Sequence, residues 1–112
     1  MTDLKYPHQT TIESYGSEGF GFKGMLRAGH LLALPSGMQA WDGEDFEIIF
    51  NQSIDFLIVG SGSKLIPLNF ELKNRLRQAG ISSDVMATPQ AKATYNIMFE
   101  DNRRVAGAFL FS

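Results

Sequence analysis

The sequence has no cysteine among its 112 residues. This absence excludes disulfide bonds, thiolate catalysis and metal sites with cysteine ligands. It fits a reducing compartment, and the N-terminus has no signal-peptide or transit-peptide character, so a cytoplasmic location is expected. No apolar run approaches the roughly 20 residues that a transmembrane helix needs, so no membrane span is expected.

The chain also lacks a concentration of charge of one sign. Ten Lys and Arg against twelve Asp and Glu give a net charge of −2, and Arg103 and Arg104 are the one adjacent basic pair. This pattern gives no electrostatic footprint for nucleic acid. The isolated His8 and His30 do not suggest a zinc site, and the acids at 42–47 lack the spacing of a calcium loop. We expect no nucleic-acid partner and no metal.

The composition that is present predicts one globular domain over residues 1–112, with 44% hydrophobic and 20% charged residues. Residues 1–9 are expected to be a mobile N-terminus. The segment 10–41 is predicted to form an antiparallel β-meander of three or four short strands, because glycine and proline turns interrupt it. From residue 42 to 112 the pattern predicts an alternating α/β half.

The second half reads as strand, helix, strand, helix, strand. The predicted strands cover 56–60, 83–87 and 104–111, and the predicted helices cover 68–79 and 88–99. Asp42 fits the N-cap of a further short helix ending near residue 52, although the apolar residues 46–50 also fit a strand. Alternation of β and α predicts crossover connections and a largely parallel core in this half.

The apolar strand 56–60 runs directly into Gly60-Ser61-Gly62, which is similar to the start of a dinucleotide-binding loop. The third glycine of that fingerprint is replaced by Leu65, and Asp84 lies at the start of the next strand rather than at its end. The Gly-Lys-Ser/Thr of a phosphate-binding P-loop is also missing. No nucleotide or other cofactor is therefore expected, and a tight strand exit is the simpler interpretation.

A weaker site hypothesis remains at this position. If the strands 56–60 and 83–87 are parallel neighbours, the N-termini of the helices that follow them meet at one end of the sheet. Their donors could then bind a small anion or a partner's carboxylate. The candidate ligand-binding residues are Gly60, Ser61, Gly62, Ser63, Lys64, Thr88 and Gln90. Thr88 fits equally well as the N-cap of its helix, and no catalytic residue set is predicted, because no nucleophile elbow is present.

An ordered set of short motifs runs through the chain. They are Gly19-Phe20, Trp41, Val59-Gly60-Ser61-Gly62, Pro67, Ala79-Gly80-Ile81, Val85-Met86-Ala87-Thr88-Pro89-Gln90-Ala91, Thr94-Tyr95-Asn96 and Arg103-Arg104-Val105-Ala106. With these motifs the chain resembles a family of small domains of unknown function that includes a mitochondrial respiratory complex I assembly factor and an adipogenesis-associated protein. The resemblance implies a three-layer α/β domain whose mixed central sheet has about five strands, one antiparallel to the rest. It implies no established enzymatic activity.

Two functions are compatible with these observations. The first is a non-catalytic protein-interaction or assembly-factor-like module with a protein partner, through which it could associate peripherally with a membrane. The alternative is a small anionic ligand-binding protein, or an enzyme, with its pocket at the Gly60-Ser61-Gly62 loop and the Thr88 helix N-terminus. Residues 1–9 do not have the character of a mitochondrial targeting segment, so we expect a free-standing bacterial-type relative.

Overall fold

The computed structural model describes residues 5–111, which form two β-sheets, two α-helices and one 3₁₀ helix. The strands are β1 (Lys5–Tyr6), β2 (Ser14–Gly16), β3 (Gly19–Phe22), β4 (Met25–Arg27), β5 (Leu31–Leu34), β6 (Gly37–Ala40), β7 (Phe56–Gly60), β8 (Ser82–Met86) and β9 (Val105–Phe109). The helices are α1 (Phe70–Gln78), α2 (Thr88–Glu100) and the 3₁₀ helix Glu47–Asn51. The predicted α/β class is therefore confirmed.

The central sheet has six strands in the order β1-β6-β5-β9-β7-β8. Strand β7 pairs in parallel with β8 and β9, whereas the remaining neighbours pair antiparallel. The prediction of a mixed sheet is confirmed, but its size is six strands rather than about five. The additional strand is β1, within the segment 1–9 that was expected to be mobile; residues 1–4 of that segment lie outside the described residues.

The antiparallel pairing predicted for residues 10–41 is confirmed, but the segment has five strands rather than three or four, and they are divided between two sheets. Strands β2, β3 and β4 form a separate three-stranded antiparallel sheet, whereas the hairpin of β5 and β6 joins the central sheet. All four residues of β5 are buried. Such a continuous apolar run is typical of a strand that is covered on both faces, which explains why β5 pairs with β9 in the core.

The domain has three layers, because the two α-helices pack on opposite faces of the central sheet. Helix α2 and the small sheet share one core. In this core the aromatic rings of Phe20 and Tyr95 both pack against the ring of Phe109. Helix α1 and the 3₁₀ helix cover the other face through Leu76 and Ile49. The chain runs from β7 through α1 to β8, and then back past β7 through α2 to β9. Because both crossovers are right-handed but run in opposite directions along the sheet, α1 and α2 lie on opposite faces.

The helix predicted to begin at Asp42 is only the 3₁₀ helix Glu47–Asn51. The Asp42 carboxylate accepts hydrogen bonds from the backbone N–H groups of Glu44 and Asp45, each 2.8 Å long. Such a local turn competes with helix initiation, which explains the late start. Helix α1 likewise begins after the predicted residue 68, because Asn69 is its N-cap and accepts from the Leu72 N–H at 2.8 Å.

The segment that precedes β2 is held against α2 by side chains of that helix. Asn96 accepts the backbone N–H of Ile12 at 2.8 Å and donates to its carbonyl at 2.7 Å. The Tyr95 hydroxyl donates to the Thr10 carbonyl at 2.7 Å, and burial raises the pKa of Tyr95. The small sheet is thereby fixed over α2.

Candidate functional site

The loop that follows β7 is joined to the start of α2 by reciprocal hydrogen bonds. The Gly62 N–H donates to Thr88 Oγ1 at 2.8 Å, and the Thr88 N–H donates to the Gly62 carbonyl at 2.8 Å. The Thr88 hydroxyl also donates to the Leu110 carbonyl at 2.8 Å. Thr88 is fully buried and is the first residue of α2, where Ala87 occupies the cap position without a side-chain bond. Its predicted role as N-cap is therefore wrong.

Ser61 is also buried, and its polar atoms have partners within the protein. Its hydroxyl contacts the carbonyls of Lys64 and Met86 and accepts the Ile66 N–H at 3.2 Å. The Ser61 N–H donates to the Met86 carbonyl at 2.9 Å. The hydroxyl and the backbone donor that were candidates for binding an anion thus hold the loop in its fold.

Positions 60 and 62 require glycine for two different structural reasons. A Cβ atom at Gly60 would lie 2.8 Å from Thr88 Oγ1 and 3.1 Å from Phe109 Cδ1, closer than packing allows. Gly62 has a φ of 88°, which L-residues rarely adopt. Both observations favour the interpretation of a tight strand exit.

The remaining candidates lie outside this buried cluster. Ser63, Lys64 and Gln90 are exposed, whereas the other four candidates are buried. The helices that follow β7 and β8 pack on opposite faces of the sheet, so the exposed candidates at the two helix N-termini belong to different layers of the domain. Within residues 5–111, no group of three or more His, Asp or Glu side chains is arranged to hold a metal ion.

The sequence did not predict a second feature, the free edge of β8. This strand is at the end of the central sheet and pairs only with β7 among the described strands. The Ser82 N–H and the Met86 carbonyl both bond toward β7, at 2.9 Å each. Because backbone groups alternate along a strand, the N–H and C=O groups of Ser83 and Val85 point away from β7.

Grooves flank this edge on both faces. On the α1 face, a groove of about 200 Å³ is lined by Leu65, Pro67 and Lys73 together with the β8 residues Ser83, Asp84 and Val85. On the α2 face, a groove of about 280 Å³ is lined by Thr94 and Met98 together with Asp84. A third groove, of about 410 Å³, lies at the start of β8 and is lined by Lys73 and Arg77 of α1 together with Ser82 and Ser83.

Large apolar side chains are exposed in the loop between β7 and α1 and at the first residue of α1. Leu65 is 66% exposed, Ile66 is 58% exposed and Phe70 is 75% exposed. Exposed apolar residues in such proximity are characteristic of interaction surfaces. The signal in the sequence was the apolar run Leu65-Ile66-Pro67-Leu68, which lies in a loop rather than in a strand or helix.

A family model described as "Protein of unknown function (DUF498/DUF598)" matches residues 12–110. The chain belongs to this family. Among its relatives is the mouse protein named NADH dehydrogenase (ubiquinone) 1 alpha subcomplex assembly factor 3, which is 31% identical over 120 residues. That alignment covers 98% of this chain but only 64% of the mouse protein.

Solved structures of bacterial proteins have the same fold. One is described as an outer membrane protein from Bartonella henselae and superposes with a TM-score of 0.88 at 31% identity, covering 96% of this chain and 99% of that one. Another, from Rhodopseudomonas palustris, has a TM-score of 0.84 at 35% identity, covering 97% and 88%. In this chain, no helix within residues 5–111 combines the length and apolar character that crossing a bilayer requires.

Proposed function

We propose that this chain is a non-catalytic protein-interaction module of the assembly-factor type. The observation that carries the proposal is the similarity along nearly the whole chain to relatives named as respiratory complex I assembly factors. Because the chain spans less than two thirds of their length, a role in building that complex is not transferred with the fold. We further propose a cytoplasmic location, with any membrane contact made through a partner.

The geometry supports this proposal in two ways. The Gly60-Ser61-Gly62 loop uses its buried donors within the protein, through Thr88 and Met86. The exposed Leu65 side chain lies instead in the groove beside the free edge of β8. A surface with apolar groups and an open strand is suited to binding another chain rather than to chemistry on a small substrate.

The direct test is quantitative affinity purification of the tagged chain from its native host after chemical cross-linking. We expect the same few proteins to be enriched under several growth conditions, with a fixed stoichiometry to the tagged chain. Failure to enrich any protein above an untagged control under those conditions would contradict the proposal.

The competing proposal is a small-anion site at the seven candidate residues, of which Ser63, Lys64 and Gln90 are exposed to solvent. A thermal-shift screen with phosphates, carboxylates and nucleotides separates the two proposals. A ligand present at one hundred times its dissociation constant adds about 2.7 kcal/mol to the stability. We expect no such shift; a shift that the Lys64→Ala variant loses would favour the anion site.

A further inference from the structure

The geometry points to the free edge of β8 as the binding site for an extended, acidic segment of a partner protein, which adds to the central sheet as a seventh strand. This inference rests on the proposed function and deepens it by naming the surface and the kind of partner.

The edge is open to strand addition. Ser83 and Val85 direct their N–H and C=O groups away from β7, toward the open side. Natural proteins usually protect such edges with proline, a bulge, an inward-pointing charge or a covering segment. Along β8 the described chain has no proline, its one charged side chain, Asp84, is exposed rather than directed into the core, and the grooves on both faces leave the strand accessible.

The grooves specify side chains on an added strand as well as its backbone. Val85 packs with the α1-side core and Met86 with the α2-side core, so successive residues of β8 face opposite grooves. An added strand would therefore place alternate side chains in the two grooves. Apolar residues suit the contacts with Leu65 and Pro67 on one face and Met98 on the other.

Charge identifies the partner segment as acidic. Lys73 and Arg77 are one helical turn apart on α1, are exposed, and line the grooves over β8 together. Among the residues lining the three grooves, Asp84 is the single carboxylate; it borders the grooves on both faces, and alternation along β8 directs its side chain toward the α2 face. The α1 face of the edge is therefore positive and complements carboxylates on the added strand.

The same charges disfavour a second copy of this chain as the occupant. Antiparallel pairing of two β8 edges about a two-fold axis places both α1 helices on the same face of the joined sheet. Lys73 and Arg77 of one copy would then face the same residues of the other across the new strand pair. Such like-charge contacts oppose self-association.

The test uses the full chain and a phage-displayed library of random peptides as the probe. We expect selection to enrich peptides that combine Asp or Glu with Val, Ile or Leu. Hydrogen exchange should then show that a synthetic peptide of the selected sequence slows exchange at the Ser83 and Val85 amides. Protection located elsewhere, or enrichment of basic peptides, would overturn the inference.

Matched variants at Ser83 separate the contribution of its backbone N–H to binding from that of its side chain. Ser83→Pro removes an N–H that points away from β7, so the ladder to β7 is kept while strand addition is blocked. We expect it to weaken peptide binding by about tenfold or more, whereas Ser83→Ala, which keeps the N–H, should bind as the unmodified chain does. Equal binding by the proline and alanine variants would overturn the inference.

A charge-reversal variant tests the contribution of Lys73 and Arg77 to binding. It also tests the inference if the Ser83→Pro variant does not fold. Lys73→Glu combined with Arg77→Glu should weaken binding of the acidic peptide, whereas Lys5→Glu, at the opposite edge of the sheet, should not. Self-association of the chain that Ser83→Pro abolishes would assign the edge to a second copy and overturn the inference. If the partner enriched from the native host still binds both edge variants, the edge is wrong but the proposed function stands; if the unmodified chain enriches no partner, the proposed function itself fails.

Discussion

Gly62 and Thr88 bond to each other in both directions, N–H to hydroxyl and N–H to carbonyl, each at 2.8 Å. In a phosphate-binding loop the corresponding N–H groups point at the ligand. Here the Thr88 side chain occupies that position, and its hydroxyl donates a hydrogen bond to the Leu110 carbonyl. One threonine thus joins the exit of β7, the start of α2 and the end of β9. A glycine motif that is similar to a cofactor loop is explained by the fold alone.

The first prediction concerns the Thr88 hydroxyl. Thr88→Val keeps the shape of the side chain but leaves the buried Gly62 N–H and the Leu110 carbonyl without their partner. We expect the free energy of unfolding to fall by about 1–3 kcal/mol, measured by urea denaturation. Thr88→Ser keeps the hydroxyl and is the control; a valine variant as stable as the serine variant would contradict the structural role of the hydroxyl.

The second prediction concerns the close approach at Gly60. The Cβ atom of Gly60→Ala would meet Thr88 Oγ1 and Phe109 at 2.8 and 3.1 Å, so we expect a loss of about 1–3 kcal/mol in the free energy of unfolding. Gly16→Ala is a matched control in a strand, because a Cβ there has nothing within 4 Å. Equal stability of the two variants would show that the packing around Gly60 is looser than described.

The third prediction concerns alkaline pH. Burial raises the pKa of Tyr95 above its ordinary value of 10.0, with a smaller opposing effect from the hydrogen bond with Gln9. A raised pKa in the folded state contributes stability that is present below the unfolded pKa and is lost as the pH rises above it. We expect the free energy of unfolding to decline above about pH 10, and less steeply in Tyr95→Phe. An identical decline in both proteins would contradict this assignment.

The fourth prediction concerns acid pH. Arg104 donates two hydrogen bonds to the Asp55 carboxylate, at 2.7 and 3.0 Å, and these bonds lower the Asp55 pKa from its ordinary 3.8. A lowered pKa in the folded state contributes stability that is present above the unfolded pKa and is lost as the pH falls below it. Asp55→Asn and Arg104→Gln should each reduce the loss of stability below pH 3.8.

The pair of Asp55 and Arg104 is exposed, so this effect should be small and should shrink with added salt. Urea denaturation at several pH values, at low and high ionic strength, measures it. A steeper acid-induced loss in either variant than in the unmodified chain would contradict the role of the pair.

The order of elements from β7 to β9 could be predicted, because each element carries its own local signal. Pro89 marks the start of α2, Gly80 marks the end of α1, and β7 is a continuous apolar run. Strand β1 was not predicted, because its formation depends on pairing with β6. The late start of the 3₁₀ helix was not predicted either, because the turn at the Asp42 carboxylate delays it.

The candidate site could be predicted in position but not in role. The loop at Ser61 does lie at the end of β7, as the pattern indicates. The N–H groups of Ser61 and Gly62 donate to Met86 and Thr88, and those partners depend on how distant segments pack rather than on local spacing. The edge of β8 was missed for a related reason, because the order of strands in a sheet is a property of the whole fold.

The central claim is that this chain binds a partner protein at the edge of β8. A photo-cross-linking amino acid placed at Leu65, in the full chain in its native host, tests it directly. Leu26 is the matched control, since it is also an exposed leucine, 56% against 66%, but lies in the small sheet. The account predicts that position 65 yields one discrete protein adduct that position 26 does not. No adduct at position 65, or the same adducts at both positions, would contradict it.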